Sequence, residues 1–527
     1  MTTYQSITDR AASPGAASDM SKYAPPPPRR RGGKDGGYNG QATMISSIVN
    51  LLNTIVGAGT LAMPSVLSHM GIMLGVVLII WSGMMSAFGL YLQTRCARYL
   101  DRGTSSFFAL SQLTYPNAAV IFDLAIAVKC FGVGVSYMII VGDLMPGVVL
   151  GLNGHADEIP YLVDRHFWIT AFMLLVIPLA FLKRLDSLKY TSIVALISIG
   201  YLIVLVIYHF TVDPHAEPSN IRVIKWEGAV QTLSALPVVV FAYTCHQNMF
   251  SIINELRDGS PSRLTGVIGS SIGSAASIYI LVAITGYITF GNAIVGNIVS
   301  MYPTGVASTI GKAAIVILVL FSIPLQVHPC RASLDSVLKW RPNRTAPATG
   351  GRAGSPLLNS PAPPRGDHAV APMSDMRFAL LTTCILTFAY ITALSVSSLD
   401  RMLAFVGSTG STSISFILPG LFYYKISDPD SIHHQRLLKG DDDIDESDSS
   451  DVEDAGGVLA QSTHSIRSTA SRVSSPSTWR WRRKWRWDLE HFDHNLLRKL
   501  ALALAVYGFI VMTVCLFMNL FFVTGSH

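Results

Sequence analysis

The first apolar segment of the chain reads Asn50-Leu-Leu-Asn-Thr-Ile-Val-Gly57-Ala-Gly59-Thr-Leu-Ala-Met-Pro64. Its glycines favour a short unwound stretch, and Pro64 removes a backbone donor further along. Irregular backbone at membrane depth is tolerated only against protein or a water-filled cavity. Free N–H groups there suit a carboxylate, and free C=O groups suit a cation. Close packing against a neighbouring helix is the alternative explanation for these glycines, because small residues also promote packing between helices.

A second unusual segment reads Leu236-Pro-Val-Val-Val-Phe-Ala-Tyr-Thr-Cys-His-Gln-Asn-Met-Phe250. It carries four polar side chains within five positions: Thr244, His246, Gln247 and Asn248. Such groups are costly in lipid, so we expect them to face a cavity or to hydrogen-bond neighbouring helices. The two unusual segments are the first and sixth apolar segments, at corresponding places in two blocks of five. This correspondence predicts an inverted-repeat transporter with a binding site near the bilayer midplane.

The composition of the 527 residues indicates a membrane protein. Half of the residues are apolar, 14% are charged, and the mean hydropathy is +0.42, whereas soluble domains average about 25% charged residues. A bilayer core needs about 20 apolar residues in a helix. The segments that meet this requirement approximately are 44–69, 72–95, 117–150, 166–183, 190–210, 228–255, 264–290, 306–329, 377–397, 402–424 and 499–523. The sequence therefore predicts an all-α polytopic membrane protein with 11 transmembrane helices.

The distribution of basic residues predicts the orientation. With a cytosolic N-terminus, 33 of the 39 Lys and Arg residues fall on the cytosolic side and four on the opposite side. Positive residues are enriched in cytosolic segments of membrane proteins. An odd number of spans then places the C-terminus on the lumenal or extracellular side. We find no intramembrane cluster of His, Asp and Glu at metal or acid–base spacing, so the sequence predicts no enzyme, cofactor or resident metal.

The polar segments define the predicted domains. Residues 1–43 read as a disordered cytosolic tail, residues 44–424 as a transporter core of ten helices with a cytosolic linker at 331–376, and residues 499–527 as helix eleven with the lumenal C-terminus. Residues 425–498 form a cytosolic insertion that begins with an acidic run and ends in basic and aromatic residues. We expect its basic-aromatic end to lie on the anionic leaflet of the bilayer rather than on nucleic acid.

Two kinds of titratable residue leave alternatives open. Lys129 falls within the third span, where it either extends towards the interface or takes part in a pathway. Six histidines fall on or beside the predicted lumenal side: His69, His155, His166, His209, His215 and His527. Because the reference pKa of histidine is about 6.5, an acidic compartment would protonate most exposed ones.

Three motifs resemble the amino acid/auxin permease family. They are Asn53 to Pro64, Phe241 to Phe250 with Asn254 to Asp258, and Ser322 to Arg331, which fall in helices one, six and eight. The fungal vacuolar amino-acid transporters and the sodium-coupled neutral amino-acid transporters are the most similar branches. The resemblance implies the five-plus-five inverted-repeat fold of the bacterial leucine transporter with one helix added.

The resemblance also implies a function and a site. We expect a secondary active amino-acid transporter that exports amino acids with protons from the vacuole, or a lysosome-like compartment, to the cytosol by alternating access. The expected substrate-binding residues are Gly57, Ala58, Gly59, Thr60, Phe241, Tyr243 and Thr244. The expected ion-coupling residues are Asn53, Ser322 and His246, with Asn53 and Ser322 matching a sodium site in the sodium-coupled branch. The alternatives are an amino-acid sensor with little flux and a sodium-coupled symporter, and the plasma membrane is the alternative location.

Overall fold

The computed structural model describes residues 40–100, 103–182, 188–339, 373–431, 434–435 and 494–523. Most of the predicted N-terminal tail, most of the predicted linker, the acidic and basic-aromatic ends of the insertion, and the last four residues with His527 lie outside the described residues. The described chain consists of helices, turns and loops with one isolated β-bridge. The domain boundaries proposed from composition stay predictions.

The α-helices begin where polar residues satisfy the first unpaired N–H groups and continue through long apolar stretches. Thr43 accepts a hydrogen bond from the N–H of Ser46, and Asp164 accepts from the N–H groups of His166 and Phe167. In chain order the helices are α1 (Met44–Ile55), α2 (Ala58–Met70), α3 (Ile72–Ala97), α4 (Phe107–Thr114), α5 (Ala119–Leu152), α6 (Arg165–Ala180), α7 (Leu188–Val212), α8 (Ala229–Ala242), α9 (His246–Glu255), α10 (Pro261–Phe290), α11 (Ile298–Met301), α12 (Val306–Lys339), α13 (Asp375–Ser395), α14 (Leu399–Val406), α15 (Leu418–Ile426) and α16 (His494–Met518).

The helices confirm the all-α polytopic architecture. Among the described residues, nine helical segments are long and apolar enough to cross a bilayer, and α1 with α2 forms a tenth segment bent by 54°. The 16 residues of α6 span only about 24 Å, which is shorter than a hydrocarbon core of about 30 Å. The predicted fourth span, and with it the count of eleven, therefore stays a prediction.

Loops at one end of the bundle pack on each other. The N–H of Ile72 donates to the carbonyl of Arg222 at 3.0 Å, and the N–H of Ala216 donates to Ile288 at 3.1 Å. Gly71 has a φ of +74° and lies against the carbonyl of Lys225, where a Cβ would not fit. These contacts bring the ends of α2, α7 and α10 together at the end that the charge distribution predicts to be lumenal.

The opposite end is also connected by backbone contacts. The N–H of Ala42 donates to the carbonyl of Glu255 at 2.9 Å, and the N–H of Arg257 donates to Ala42 at 3.1 Å. Both groups of the Asn254 amide bond the backbone of Ser105, at 3.1 and 2.8 Å. The start of α1 is thereby joined to the end of α9 and to the chain between α3 and α4.

The segment from α14 to α15 is irregular in a way that the sequence did not predict. Two π-helical segments, Gly407–Ser411 and Ser413–Ile417, interrupt it. Gly407 lies against the backbone of Pro237 in α8, and Gly410 lies against the backbone of Lys129 in α5. A Cβ at either glycine would meet backbone atoms, so this close approach depends on the small residues.

The last helix, α16, covers one side of the bundle. The Nη2 atom of Arg498 lies 3.1 Å from a carboxylate oxygen of Asp428. The indole N–H of Trp81 in α3 donates to the hydroxyl of Tyr507 at 3.1 Å. Gly420 of α15 faces the backbone of α16 so closely that a Cβ would not fit. This helix is therefore fixed to α3 and α15 by both polar contacts and close packing.

Candidate functional site

The first break in the helices lies between α1 and α2. Helix α1 ends at Ile55 and α2 begins at Ala58, so Val56 and Gly57 are non-helical. The carbonyl groups at the end of α1 and the N–H groups at the start of α2 lack partners within their own helices. The break thus places the carbonyl groups at the end of α1 next to the N–H groups at the start of α2, at the middle of one membrane segment.

The second break lies between α8 and α9, at Tyr243 to Cys245. Two side chains of α3 satisfy backbone carbonyl groups there. The hydroxyl of Ser86 donates to the carbonyl of Tyr243 at 3.1 Å, and the amide of Gln93 donates to the carbonyl of His246 at 3.3 Å. Helix α3 therefore supports the irregular backbone from one side.

The two breaks lie against each other. A Cβ on Gly59 would lie 2.6 Å from the Cβ of Ala242, so only glycine allows this approach. The hydroxyl of Tyr279 in α10 lies 2.7 Å from the carbonyl oxygen of Ile55 and 2.8 Å from that of Ala242. One phenolic proton thus serves the final carbonyl groups of two helices, α1 and α8, whose C-terminal ends carry partial negative charge.

A cavity of about 660 Å³ lies beside both breaks. This volume is in the range typical of small-molecule sites. Residues of α1, α2, α4, α5, α7, α8, α9 and α12 and of the two breaks form its wall. Its polar lining residues include Asn50, Asn53, Thr54, Lys129, Tyr137, Ser198, Thr244, Gln247, Asn248, Ser251, Ser322, Gln326 and His328. The wall therefore combines exposed helix ends, neutral hydrogen-bonding side chains and one lysine.

Residues 40–441 match the family described as transmembrane amino acid transporter proteins, and this match includes both breaks and the whole cavity. The chain belongs to this family. The resemblance inferred from the three motifs is confirmed, as is the expectation that the protein is a transporter and not an enzyme. Amino-acid transport across a membrane is its function.

Individual relatives and a solved structure agree with this assignment. Vacuolar amino acid transporter 5 of Schizosaccharomyces pombe is 44% identical over 391 residues, covering 74% of this chain and 86% of that protein. Sodium-coupled neutral amino acid symporter 2 of Danio rerio is 24% identical over 423 residues, covering 75% of this chain and 77% of that protein. The crystal structure of MhsT in complex with L-phenylalanine has a TM-score of 0.51 at 14% identity, covering 90% of this chain and 100% of that one. At this identity the last likeness shows the fold alone.

The transporter brings most of its expected substrate-binding residues to the cavity. Gly57, Ala58, Gly59, Phe241 and Thr244 line the wall. Their roles stay predictions, but they occupy one continuous part of the cavity, because the two breaks are in contact.

Two expected substrate-binding residues lie behind this wall. Thr60 and Tyr243 are fully buried and are not among the lining residues. The hydroxyl of Tyr243 lies close to Gly83 of α3, and the Tyr243 ring meets Tyr279 edge to face at 5.2 Å. Both positions are consistent with shaping the breaks rather than with contacting a ligand directly.

The expected ion-coupling residues of the transporter occupy two environments. Asn53 and Ser322 line the cavity, whereas His246 is fully buried outside the lining. The Oδ1 atom of Asn53 and both ring nitrogens of His246 have no hydrogen-bond partner among the described residues. The hydroxyl of Ser322 donates to the carbonyl of Leu318 at 2.7 Å. The lone pairs of the Ser322 oxygen can therefore still coordinate a cation.

Sequence reasoning missed Tyr279, and it left the position of Lys129 open. Tyr279 lies in an apolar helix, and its sequence neighbours carry no sign of a contact with Ile55, 224 positions away. Lys129 is 4% exposed and lines the cavity, so it does not extend to the interface. A pathway role for this lysine stays a prediction.

The cation site proposed at Asn53 and Ser322 makes a testable prediction. Asn53→Ala and Ser322→Ala should each raise the ion concentration for half-maximal transport by roughly tenfold, because a ligand to a charge contributes about 1.5–3 kcal/mol. The double variant should be non-additive, because the two residues would act on one ion. Uptake measured against sodium and proton concentration checks this.

Ser198→Ala is the matched control for this test. Its hydroxyl also lines the cavity and donates to a backbone carbonyl, that of Ala314, at 3.3 Å. It should leave ion dependence unchanged. Unchanged ion dependence in both single variants at Asn53 and Ser322 would remove the proposed cation site.

Proposed function

We propose that this protein is a secondary active transporter that exports amino acids from a vacuole or lysosome-like compartment to the cytosol by alternating access with protons. The observation that carries the proposal is the meeting of two broken helices at one cavity. The N–H groups of the first turn of α2, at Ala58 and Gly59, suit the substrate carboxylate, and Phe241 and Thr244 shape the side-chain pocket. Alternating access would then require movement of the helices around these two breaks.

The proposed location and orientation draw on different observations. The name of the Schizosaccharomyces pombe relative supports a vacuolar membrane. The excess of Lys and Arg on one side supports a cytosolic N-terminus and a lumenal C-terminus. The name of the Danio rerio relative supports the alternative of sodium coupling, for which the plasma membrane is the corresponding location.

Histidines at the proposed lumenal end support proton coupling. Four of them lie within ion-pair distance of a carboxylate: His69 with Glu227 at 2.8 Å, His155 with Glu158 at 3.3 Å, His166 with Asp164 at 3.3 Å and His209 with Asp213 at 2.8 Å. Histidine is the side chain whose charge changes most readily between about pH 5 and pH 8. The pair of His69 and Glu227 joins α2 to the chain before α8, whereas the members of each other pair lie within four positions of each other.

Flux measurements in sealed vesicles test the proposal. Proteoliposomes loaded with a panel of amino acids should export their substrate several-fold faster when the interior is acidified from about pH 7.5 to about pH 5.5, because protons would then drive the coupled step. Membrane potential is kept constant and sodium is excluded. Flux independent of interior pH would overturn proton coupling and favour sodium coupling or facilitated diffusion.

His246 is the intramembrane histidine proposed to take part in coupling. It lies at the second break with both ring nitrogens free of partners among the described residues. His246→Ala should reduce the maximal rate or shift the pH optimum of export. The control His155→Ala changes a histidine of the proposed lumenal surface whose side chain is 84% exposed and should have little effect.

A sensor with little flux is the second candidate function, since the same cavity would bind the same ligand. Ligand binding by the purified protein without accumulation or export in vesicles would support the sensor and exclude the transporter. Measuring binding and flux on one preparation separates the two functions.

A further inference from the structure

Three cationic side chains are buried in the described part of the bundle. They are Lys129 in α5 and Lys312 and Arg331 in α12, with relative exposures of 4%, 3% and 3%. A buried charge is costly unless it is paired or hydrogen-bonded. The groups that contact each cationic side chain therefore indicate whether its role is structural or ligand-binding.

Two of these cations have partners within the protein. The ammonium of Lys312 donates to the carbonyl of Tyr302 at 2.9 Å. The guanidinium of Arg331 donates to the hydroxyl of Thr382 at 2.8 Å and lies 3.8 Å from the centre of the Phe378 ring. Both side chains hold neighbouring segments together, so a structural role accounts for them.

Lys129 differs from both. Among the described residues it has no hydrogen bond or ion pair, and it lines the cavity. The described part of the cavity wall contains no Asp or Glu. The ionisable groups that act on Lys129 are the thiols of Cys130 and Cys245 and the imidazole of His246, which are not carboxylates. An anionic group of a ligand in the cavity would supply the counter-charge that the described wall lacks.

The backbone at Lys129 is held in place. Gly410 of the first π-helical segment lies so close that a Cβ there would be 2.7 Å from the Cβ of Lys129 and 2.8 Å from its backbone nitrogen. The backbone of Lys129, which is one of the residues that line the cavity, is thus held against this π-helical segment. Binding groups on rigid elements discriminate between ligands better than groups on loops do.

We propose that Lys129 binds the side-chain carboxylate of an acidic amino acid, so that the substrate class includes the dicarboxylic amino acids. This inference rests on the proposed function, in which the α-carboxylate binds the start of α2 near Gly57. Lys129 then neutralises the second carboxylate. Cationic amino acids are disfavoured, because they would add a positive charge to a wall whose described residues include no acid.

Glutamate and glutamine form a matched ligand pair for the test, because they differ mainly in side-chain charge. The wild-type protein should take up glutamate in preference to glutamine and lysine. Lys129→Met should lower glutamate affinity by about 30-fold or more, since loss of one partner of a buried charge pair has an effect of this size. It should change glutamine affinity by no more than about threefold, and Lys129→Arg should retain part of the glutamate affinity. Lys312→Met, which removes a buried ammonium outside the cavity, should affect both ligands equally.

Uptake into proteoliposomes and ligand-dependent thermal stabilisation of the purified full-length protein are measured in parallel. An equal loss of glutamate and glutamine binding in a folded Lys129→Met protein would overturn the inference, as would a wild-type protein without preference for glutamate. Stabilisation by glutamate that depends on Lys129, without flux, would confirm the site while excluding the transporter. An absence of flux would thus contradict the proposed transport, whereas an absence of Lys129-dependent glutamate binding would contradict the proposed binding site.

Discussion

Replacing Gly57 with Val is expected to reduce amino-acid uptake by about 100-fold or more while the protein still folds and enters the membrane. Gly57 lines the cavity at the first break, and a Cβ at this position would meet nothing within 4 Å. The new side chain would project into open space in front of the N–H groups proposed to bind the substrate carboxylate. Losing one or two charge-assisted hydrogen bonds costs about 3 kcal/mol, which corresponds to the expected reduction.

Uptake of radiolabelled substrate, normalised to the folded protein recovered by size-exclusion chromatography, checks this prediction. Gly57→Ala should give an intermediate reduction. Gly59 tests a different property, because its Cβ would collide with Ala242 and separate α2 from α8. Gly59→Val should therefore lower the yield of folded protein. Normal uptake by folded Gly57→Val would show that the carboxylate binds elsewhere.

Tyr279→Phe is expected to reduce the maximal transport rate by about tenfold and to destabilise the protein. The change removes a single oxygen that lies within 2.8 Å of the last carbonyl of α1 and of α8. Two buried carbonyl groups would then lose their shared donor, at a cost of about 1–3 kcal/mol. Because this hydroxyl joins the two breaks, its loss should also let them move independently of each other.

Tyr287→Phe supplies the matched control, since this tyrosine is fully buried in the same helix, α10. Its hydroxyl contacts Asn292 and the N–H of Arg222, both at 2.9 Å, away from the breaks. Thermal unfolding should show a loss of stability in both variants. The transport rate per folded molecule should fall in Tyr279→Phe alone, and an equal fall in both would contradict a coupling role for Tyr279.

The sequence predicted the broken helices because their cause is local. Gly57 and Gly59, two positions apart on the chain, explain the first break, and clustered polar side chains indicate the break before His246. Pro64 was expected to disturb the first segment too, yet α2 continues through it. Gly286 of α10 packs directly on the Pro64 ring and provides room for it. The close packing around Pro64 therefore depends on a residue far away in the chain.

Features that arise from tertiary contacts could not be read from the sequence. The π-helical segments between α14 and α15 have no periodic signal, and they follow from the close approach of Gly407 and Gly410 to α8 and α5. The hydroxyl of Tyr279 in α10 likewise contacts carbonyl groups at the ends of α1 and α8, which are distant from it in the sequence. Lys129 could be noticed as a charge in an apolar segment, but its lack of a partner becomes visible only when the surrounding helices are in place.

The attachment of α16 has a consequence for biosynthesis. The helix contacts Trp81 in α3 and Gly420 in α15, both of which leave the ribosome earlier than α16 itself. Translation proceeds at about 5–20 residues per second, so the insertion at 425–498 delays the last helix by roughly 4–15 s. During that interval the surface around Gly420 is not yet covered by α16. A nascent chain that ends before α16 therefore leaves this surface of α15 without the helix that packs on it in the full chain.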